Sequence, residues 1–427
     1  MHRLLGPLLI AVITTAGTNG SAGETASDAG TGSGQTYYVD PIYGRDSNSG
    51  HAPDAAWRSL NKVNSFAFQP GDTVLFRRNG NWMGELHLHD SGSETSPITF
   101  GAYDDGEKPK VSQGRHGIYA DDVNHIVIEN LHVAKTTAAA IVAKNSTDWT
   151  LRGLKIEGTG DGEAGGGLQW WHGHRLTVSD SEFSDINGDG LWIWNSSETA
   201  IRNNKIYTVR GASADNLHMF QSEGFEVRRN YMTMSGKTDS TKGNMITTGG
   251  REGIIVDNIF VAGNYGLGVT DDEILVDGNC FIGHAGETWS AAILVSETHD
   301  VANNSFVNNV ILNPFMGIYI LALENSGHQR QNFQFRNNLI HNPTQNAITI
   351  ESPISGSFAD NVIWAPHATE ADSLIELSAG IIDEQAWDVS DNAISTDPAA
   401  RPVPDLDTPS AFDAQLADCR GMSSAQP

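Results

Sequence analysis

Basic residues are scarce in this chain. Its 427 residues include 26 Lys and Arg against 52 Asp and Glu, a formal net charge of −26. A molecule this acidic repels nucleic acid and anionic membrane as a whole, so neither is expected as a partner. The apolar run Leu4 to Ile13 follows a short basic start at His2 and Arg3 and is too short to span a bilayer. With the small residues behind it, it reads as a secretory signal cleaved between Ala16 and Ala22. No cysteine stands there, which argues against a lipid anchor. Cys280 and Cys419 are the only two cysteines. In an oxidising compartment they either bridge and pin the tail to the body, or remain two thiols. Only 15 Pro accompany 45 Gly, a balance that suits short strands and tight turns better than long helices.

What is abundant is a repeat. The pattern apolar-x-x-Asn-x-apolar recurs as IRNNKI, VRRNYM, IVDNIF, VDGNCF, VANNSF, FRNNLI and FADNVI, with degenerate copies IENLHV, LRGLKI and VSDSEF. Its key positions run 131, 154, 181, 204, 230, 258, 279, 304, 338 and 361, at spacings of 21 to 34 residues. That period matches one coil of a parallel β-helix; leucine-rich and pentapeptide solenoids have other periods. Apolar residues alternate inward on short strands. Asn bonds backbone groups at a turn and tolerates left-handed geometry. The alignment predicts a ladder of Asn204, Asn230, Asn258, Asn279, Asn304, Asn338 and Asn361.

The segment YYVDPIYGRDSNSG (37–50), the amphipathic WRSLNKVNSF, PGDTVLFRRNGNW and SPITFGAY resemble the start of a large group of secreted bacterial β-helix proteins. That group includes alginate lyases, other polysaccharide lyases and some mannuronan epimerases. The resemblance covers roughly residues 36–365. It implies a single-stranded, all-β, right-handed parallel β-helix (a pectate-lyase-like solenoid) with a helix over 59–66 capping its open end. The expected organisation is a signal peptide over 1–22, a flexible linker over 23–35, the β-helix over 36–395 and a tail over 396–427.

Coil alignment stacks Gly167–Trp171, Gly190–Trp194, Asn216–Phe220 and Asn244–Thr248. If Leu168, Leu191, Leu217 and Met245 point inward, two columns point out: Gln169, Trp192, His218, Ile246, and Trp171, Trp194, Phe220, Thr248. Exposed aromatics such as Trp171, Trp192, Trp194 and Phe220 suit sugar rings, which stack their C–H faces on π faces. A covering loop would instead make them a satellite core, and a one-residue slip would invert the assignment. Eight of the 26 basic residues fall between 202 and 251: Arg202, Lys205, Arg210, Arg228, Arg229, Lys237, Lys242 and Arg251. An anionic polymer would be drawn there.

Elimination in a uronate chain needs a base for the C5 proton, cations for the carboxylate and an acid for the leaving oxygen. Resemblance to β-helix alginate lyases with Lys-centred sites implies Lys242 as base and Tyr207 as acid. His218 is the competing base, and Arg210 and Arg251 the neutralisers. Ordinary alternatives stand beside these: an ion pair of Lys242 with Asp215, and a hydrogen-bonded surface His218. Hydrolysis is the opposing reading, with Asp189 and Asp215 stacked on neighbouring coils as acid and nucleophile. The residue series of β-helix polygalacturonases, the clustered aspartates of pectate lyases and the Asp-Pro-His-Asp motif of mannuronan epimerases are all absent. Asp185 to Gly190 (DINGDG) matches the start of a Ca²⁺ loop, but Ser196 stands where its Glu belongs. Calcium and a plain Asn/Gly-rich turn both remain readings of that string. The expectation is a secreted or periplasmic monomeric lyase on an anionic, uronate-containing, alginate-like polysaccharide. A hydrolase and a non-catalytic polysaccharide-binding protein are the alternatives.

Overall fold

The computed structural model describes residues 34–160, 165–211, 214–234, 243–284, 290–296, 300–321, 330–351, 354–368, 374–377, 387–397 and Cys419. The chain is a right-handed parallel β-helix. All ladders between its named strands are parallel, in one 15-stranded and one 23-stranded sheet. Each coil contributes three short strands, as in His174–Ser179, Glu182–Asn187 and Leu191–Trp194. We call the stacks they form faces one, two and three. Faces two and three merge because the early strand Lys110–Asp121 runs through both.

Alternation makes the core. Leu176 and Val178, Phe183 and Ile186, and Leu191 and Ile193 have no exposed surface, and each stacks on its counterpart in the next coil. Ser59 caps the helix Leu60–Asn64, its hydroxyl accepting from the Lys62 amide at 3.2 Å. Leu60 and Val63 are buried in the same core as the first coils.

The corner between faces one and two explains the Asn repeat. A left-handed residue, such as Asn203, Arg229, Asp257 or Asn308, bends the chain there. The Asn behind it is buried, and its Oδ1 accepts the backbone N–H of the preceding coil's Asn. Asn204 N donates to Asn230, Asn230 N to Asn258 and Asn258 N to Asn279, each at 2.9 Å. The series continues through Asn309, Asn338 and Asn361 to Asn392. Asn304 is not part of it, contrary to the sequence alignment. It lies within face one, between Val301–Ala302 and Ser305–Val307, and accepts from the Ile274 amide at 2.8 Å. Phe306 accordingly pairs with Val276 on face one, while Ile311 pairs with Phe281 on face two. Two overlapping copies of the pattern exist there, and the second one turns the corner.

Face two becomes apolar on its outer side toward the C-terminus. Ile259, Cys280, Val310, Leu339 and Val362 stack in one column, and Cys419 packs against it, fully buried. Cys280 and Cys419 are joined as a disulfide, with Cα atoms 5.7 Å apart. Among the described residues, no helix is long and apolar enough to cross a membrane.

Candidate functional site

Face three carries the aromatic columns in the register that alternation requires. Leu168, Leu191, Leu217 and Met245 are aligned and fully buried. Gln169, Trp192, His218 and Ile246 form one outer column, and Trp171, Trp194, Phe220 and Thr248 the other. The Trp192 and Trp194 rings lie 6.2 Å apart and 15° from parallel. Trp192 also stacks with His218 at 6.4 Å and 16°. All four large aromatics are half-buried, so the platform is neither bare nor part of the core. Gln169 is buried and donates to the Gly165 carbonyl at 3.1 Å.

Beside the platform, where each coil turns from face two into face three, one register column holds Asp189, Asp215, Gly243 and Tyr265. The Asp215 amide donates to Asp189 Oδ1 at 2.9 Å, and the Gly243 amide to Asp215 Oδ1 at 2.8 Å. Tyr265 reaches back to the same oxygen, its hydroxyl donating at 2.9 Å. It can do so because residue 243 is glycine. A Cβ there would sit 1.8 Å from the Tyr265 ring. His218 completes the cluster, with Nδ1 3.6 Å from Asp189 Oδ2. Its Nε2 is buried and has no hydrogen-bond partner among the described residues.

The electrostatics follow from burial. Asp215 is 4% exposed. Desolvation, then the neighbouring Asp189 charge, push its pKa up to about 7. With two donors already on Oδ1, the retained proton belongs on Oδ2. Tyr265 is driven well above its ordinary value by burial and by Asp215, so it stays a donor. For His218, burial disfavours the imidazolium, but the Asp189 contact and the charges of Asp215 and Asp271 outweigh it, and its pKa is raised. Asp189, Asp215 and His218 offer one ligand atom each within 4.8 Å of one another, so these three could hold a metal ion.

Of the residues assigned to elimination, the described Tyr207, Arg210 and Arg251 do not converge here. Lys242 lies outside the described residues. Tyr207 sits on face two and donates to Glu182. Arg210 is paired with Asp185 at 2.8 Å. Arg251 opens a face-one strand and is paired with Glu223. Asp185 and Asn187 lie in the strand Glu182–Asn187, so the calcium-like string does not wrap around one point. Only its Asp189 joins the cluster. Tyr265 is the residue that sequence reasoning passed over. Carrying the alignment one coil further, to YGLGV, would have set it in register with Gly243, Asp215 and Asp189.

Residues 107–237 match the model of the right-handed β-helix region. A 140-residue stretch is 34% identical to a lacto-N-biosidase of Bifidobacterium longum subsp. longum, covering 31% of this chain. That match spans 9% of the relative's length. Among solved structures, a mannuronic acid-specific family 6 polysaccharide lyase from human gut microbiota superposes with a TM-score of 0.55 at 14% identity, over 92% of this chain and 100% of its own. The GH136 lacto-N-biosidase of Eubacterium ramulus does so with a TM-score of 0.53 at 14% identity, over 84% and 67%. At these identities the likeness is one of fold. The neighbours are β-helix enzymes that act on carbohydrate, by elimination in one case and hydrolysis in the other.

Proposed function

We propose that this protein is a secreted glycoside hydrolase that works with Asp215 as proton donor and Asp189 as nucleophile on a glycan laid across face three. The observation that carries this is the buried Asp215 carboxyl, with its pKa near 7, paired with Asp189 at the edge of an aromatic platform. Two carboxyls pushed apart in proton affinity can divide the acid and nucleophile roles. Asp215 Oδ2 gives its proton to the glycosidic oxygen as the bond breaks. The Asp189 carboxylate closes on the anomeric carbon and forms a glycosyl ester. Water then cleaves the ester, returning its proton to Asp215. One carboxyl oxygen of each residue lies within 4.8 Å of the other's, closer than the ~6.5–9.5 Å separation of carboxyl groups that an inverting enzyme uses to seat a water between them. The reading therefore entails retention of configuration. His218 holds Asp189 in place and faces the same cleft through its stack with Trp192.

Elimination is supported less well. Two aspartates crowd the site, a poor setting for a uronate carboxylate, while Arg210 and Arg251 are engaged with acidic partners. The sequence relative named as a biosidase adds weight to hydrolysis. Secretion is supported by the apolar N-terminal run.

The test is incubation with neutral and uronate-containing glycans, following reducing ends and absorbance near 235 nm together. Reducing ends without new absorbance are expected. Asp189→Asn and Asp215→Asn should each lower the rate by roughly 10²–10⁴-fold. A rise at 235 nm would instead report the unsaturated uronate of a lyase.

A further inference from the structure

The face-three groove extends past the aromatic platform toward the N-terminus. There a cavity of about 480 Å³ is lined by Arg115, His116, Tyr119, Lys144, Trp171 and Trp192, among others. Two cations meet in it. Lys144 Nζ stands 4.5 Å from the centroid of the Trp171 ring. Arg115 is exposed on the neighbouring coil. Both act on His116, whose pKa is lowered by burial first and by these two charges in addition.

The nearest carboxylates are held by other hydrogen bonds and form no ion pair with Arg115 or Lys144. Glu85 is taken by the amide and Nδ1 of His116, at 3.1 and 3.0 Å. Asp121 accepts from Asn145 Nδ2 at 2.7 Å. Among the described residues, neither Arg115 nor Lys144 has an ion-pair partner. Arg77, Arg152, Arg175, Arg202, Arg210, Arg228 and Arg251 all do, and of the described arginines that do not, Arg45, Arg58, Arg78 and Arg336 lie outside this groove. A second groove, on face one, makes the contrast. Its volume is about 400 Å³, but its Arg175 is paired with Asp148, and Glu94 and Glu198 also line it. In a chain with a net charge of −26, two cations outside ion pairs that share one aromatic-walled groove are a selective feature.

We propose that this end of the groove is a subsite for an acidic group carried by the glycan, a carboxylate or a sulfate ester held by Arg115 and Lys144. Tyr119 and Trp192 supply the apolar surface for the ring that bears it. Lys144 lies two coil steps from the Asp189 coil, about 10 Å along the solenoid. The substrate is then uncharged where it is cut and acidic a short distance away. This inference rests on face three being the carbohydrate-binding face.

The experiment is binding of the Asp189→Asn protein, in which cleavage is strongly slowed, to immobilised glycans. Neutral probes are β-glucan, galactan and mannan. Carboxylated probes are glucuronan, pectate and alginate. Sulfated probes are carrageenan and chondroitin sulfate. At low salt, one or both charged classes should be retained at least about tenfold better than the neutral ones. Added Arg115→Gln and Lys144→Gln should remove that preference without changing the melting temperature. The class retained identifies the acid group. Equal retention of neutral and charged probes, no retention of any, or a preference that survives the double substitution would overturn the subsite. Reducing ends released from neutral glycans by the wild-type protein, with no charged preference in binding, would sink the subsite and leave the hydrolase standing. Charge-dependent binding together with no reducing ends from the wild-type protein would do the reverse.

Discussion

Asn230 and Asp215 do similar mechanical work: each accepts the backbone N–H of an adjacent coil on its Oδ1. The amide side chain is neutral at every pH, whereas the carboxyl is buried and titrates. Its raised pKa makes the acid form the resting form below about pH 7. Activity that needs that proton is lost as pH rises through about 7. The Tyr265 hydroxyl favours the ionised carboxylate, so Tyr265→Phe should raise the pKa and move the alkaline limb of kcat/KM to higher pH. An unmoved limb would show that another group sets it. At this scale Asp189, Asp215, His218 and the aromatic columns were legible in the sequence, because period-two alternation fixes which side chains share a face. Tyr265 was not, because its contact depends on an absent side chain at Gly243. The ion pairs of Arg210 and Arg251 were not legible either, because clustering in sequence says nothing of the acidic partners met across coils.

Among the elements, the corner ladder fixes the register of the solenoid. Asn258 accepts from Asn230 and donates to the Val227 carbonyl and to Asn279. Asn258→Ala would leave several buried groups unpaired, at about 1–3 kcal/mol each. The urea midpoint should fall by an amount equivalent to about 3 kcal/mol or more, whereas Asn203→Gly, which keeps the left-handed corner on the exposed side, should change little. The ladder's existence was legible from the repeat. Its exact members were not, because Asn303-Asn304 and Asn308-Asn309 both satisfy the pattern within six residues. Only pairing with Val276 or with Phe281 decides which pair turns the corner.

For the molecule as a whole, stability comes from stacking, since each coil buries its apolar set only against its neighbours. The late coils carry an additional tie through Cys280 and Cys419, which are 139 residues apart. Closing a loop of that length is worth about 5 kcal/mol in the chain-entropy picture. A reductant should therefore lower the melting temperature of the native protein. Cys419→Ser should start from the lower value and show no further change.

The claim that joins these scales is that Asp189 and Asp215 hydrolyse a glycosidic bond through a covalent intermediate. Proton NMR of freshly cleaved glycan, read before the product mutarotates, tests it most directly. The account predicts a saturated product whose new reducing end keeps the anomeric configuration of the bond that was cut. An inverted anomer would contradict the assignment of Asp189 as nucleophile, and an unsaturated uronate would contradict hydrolysis itself.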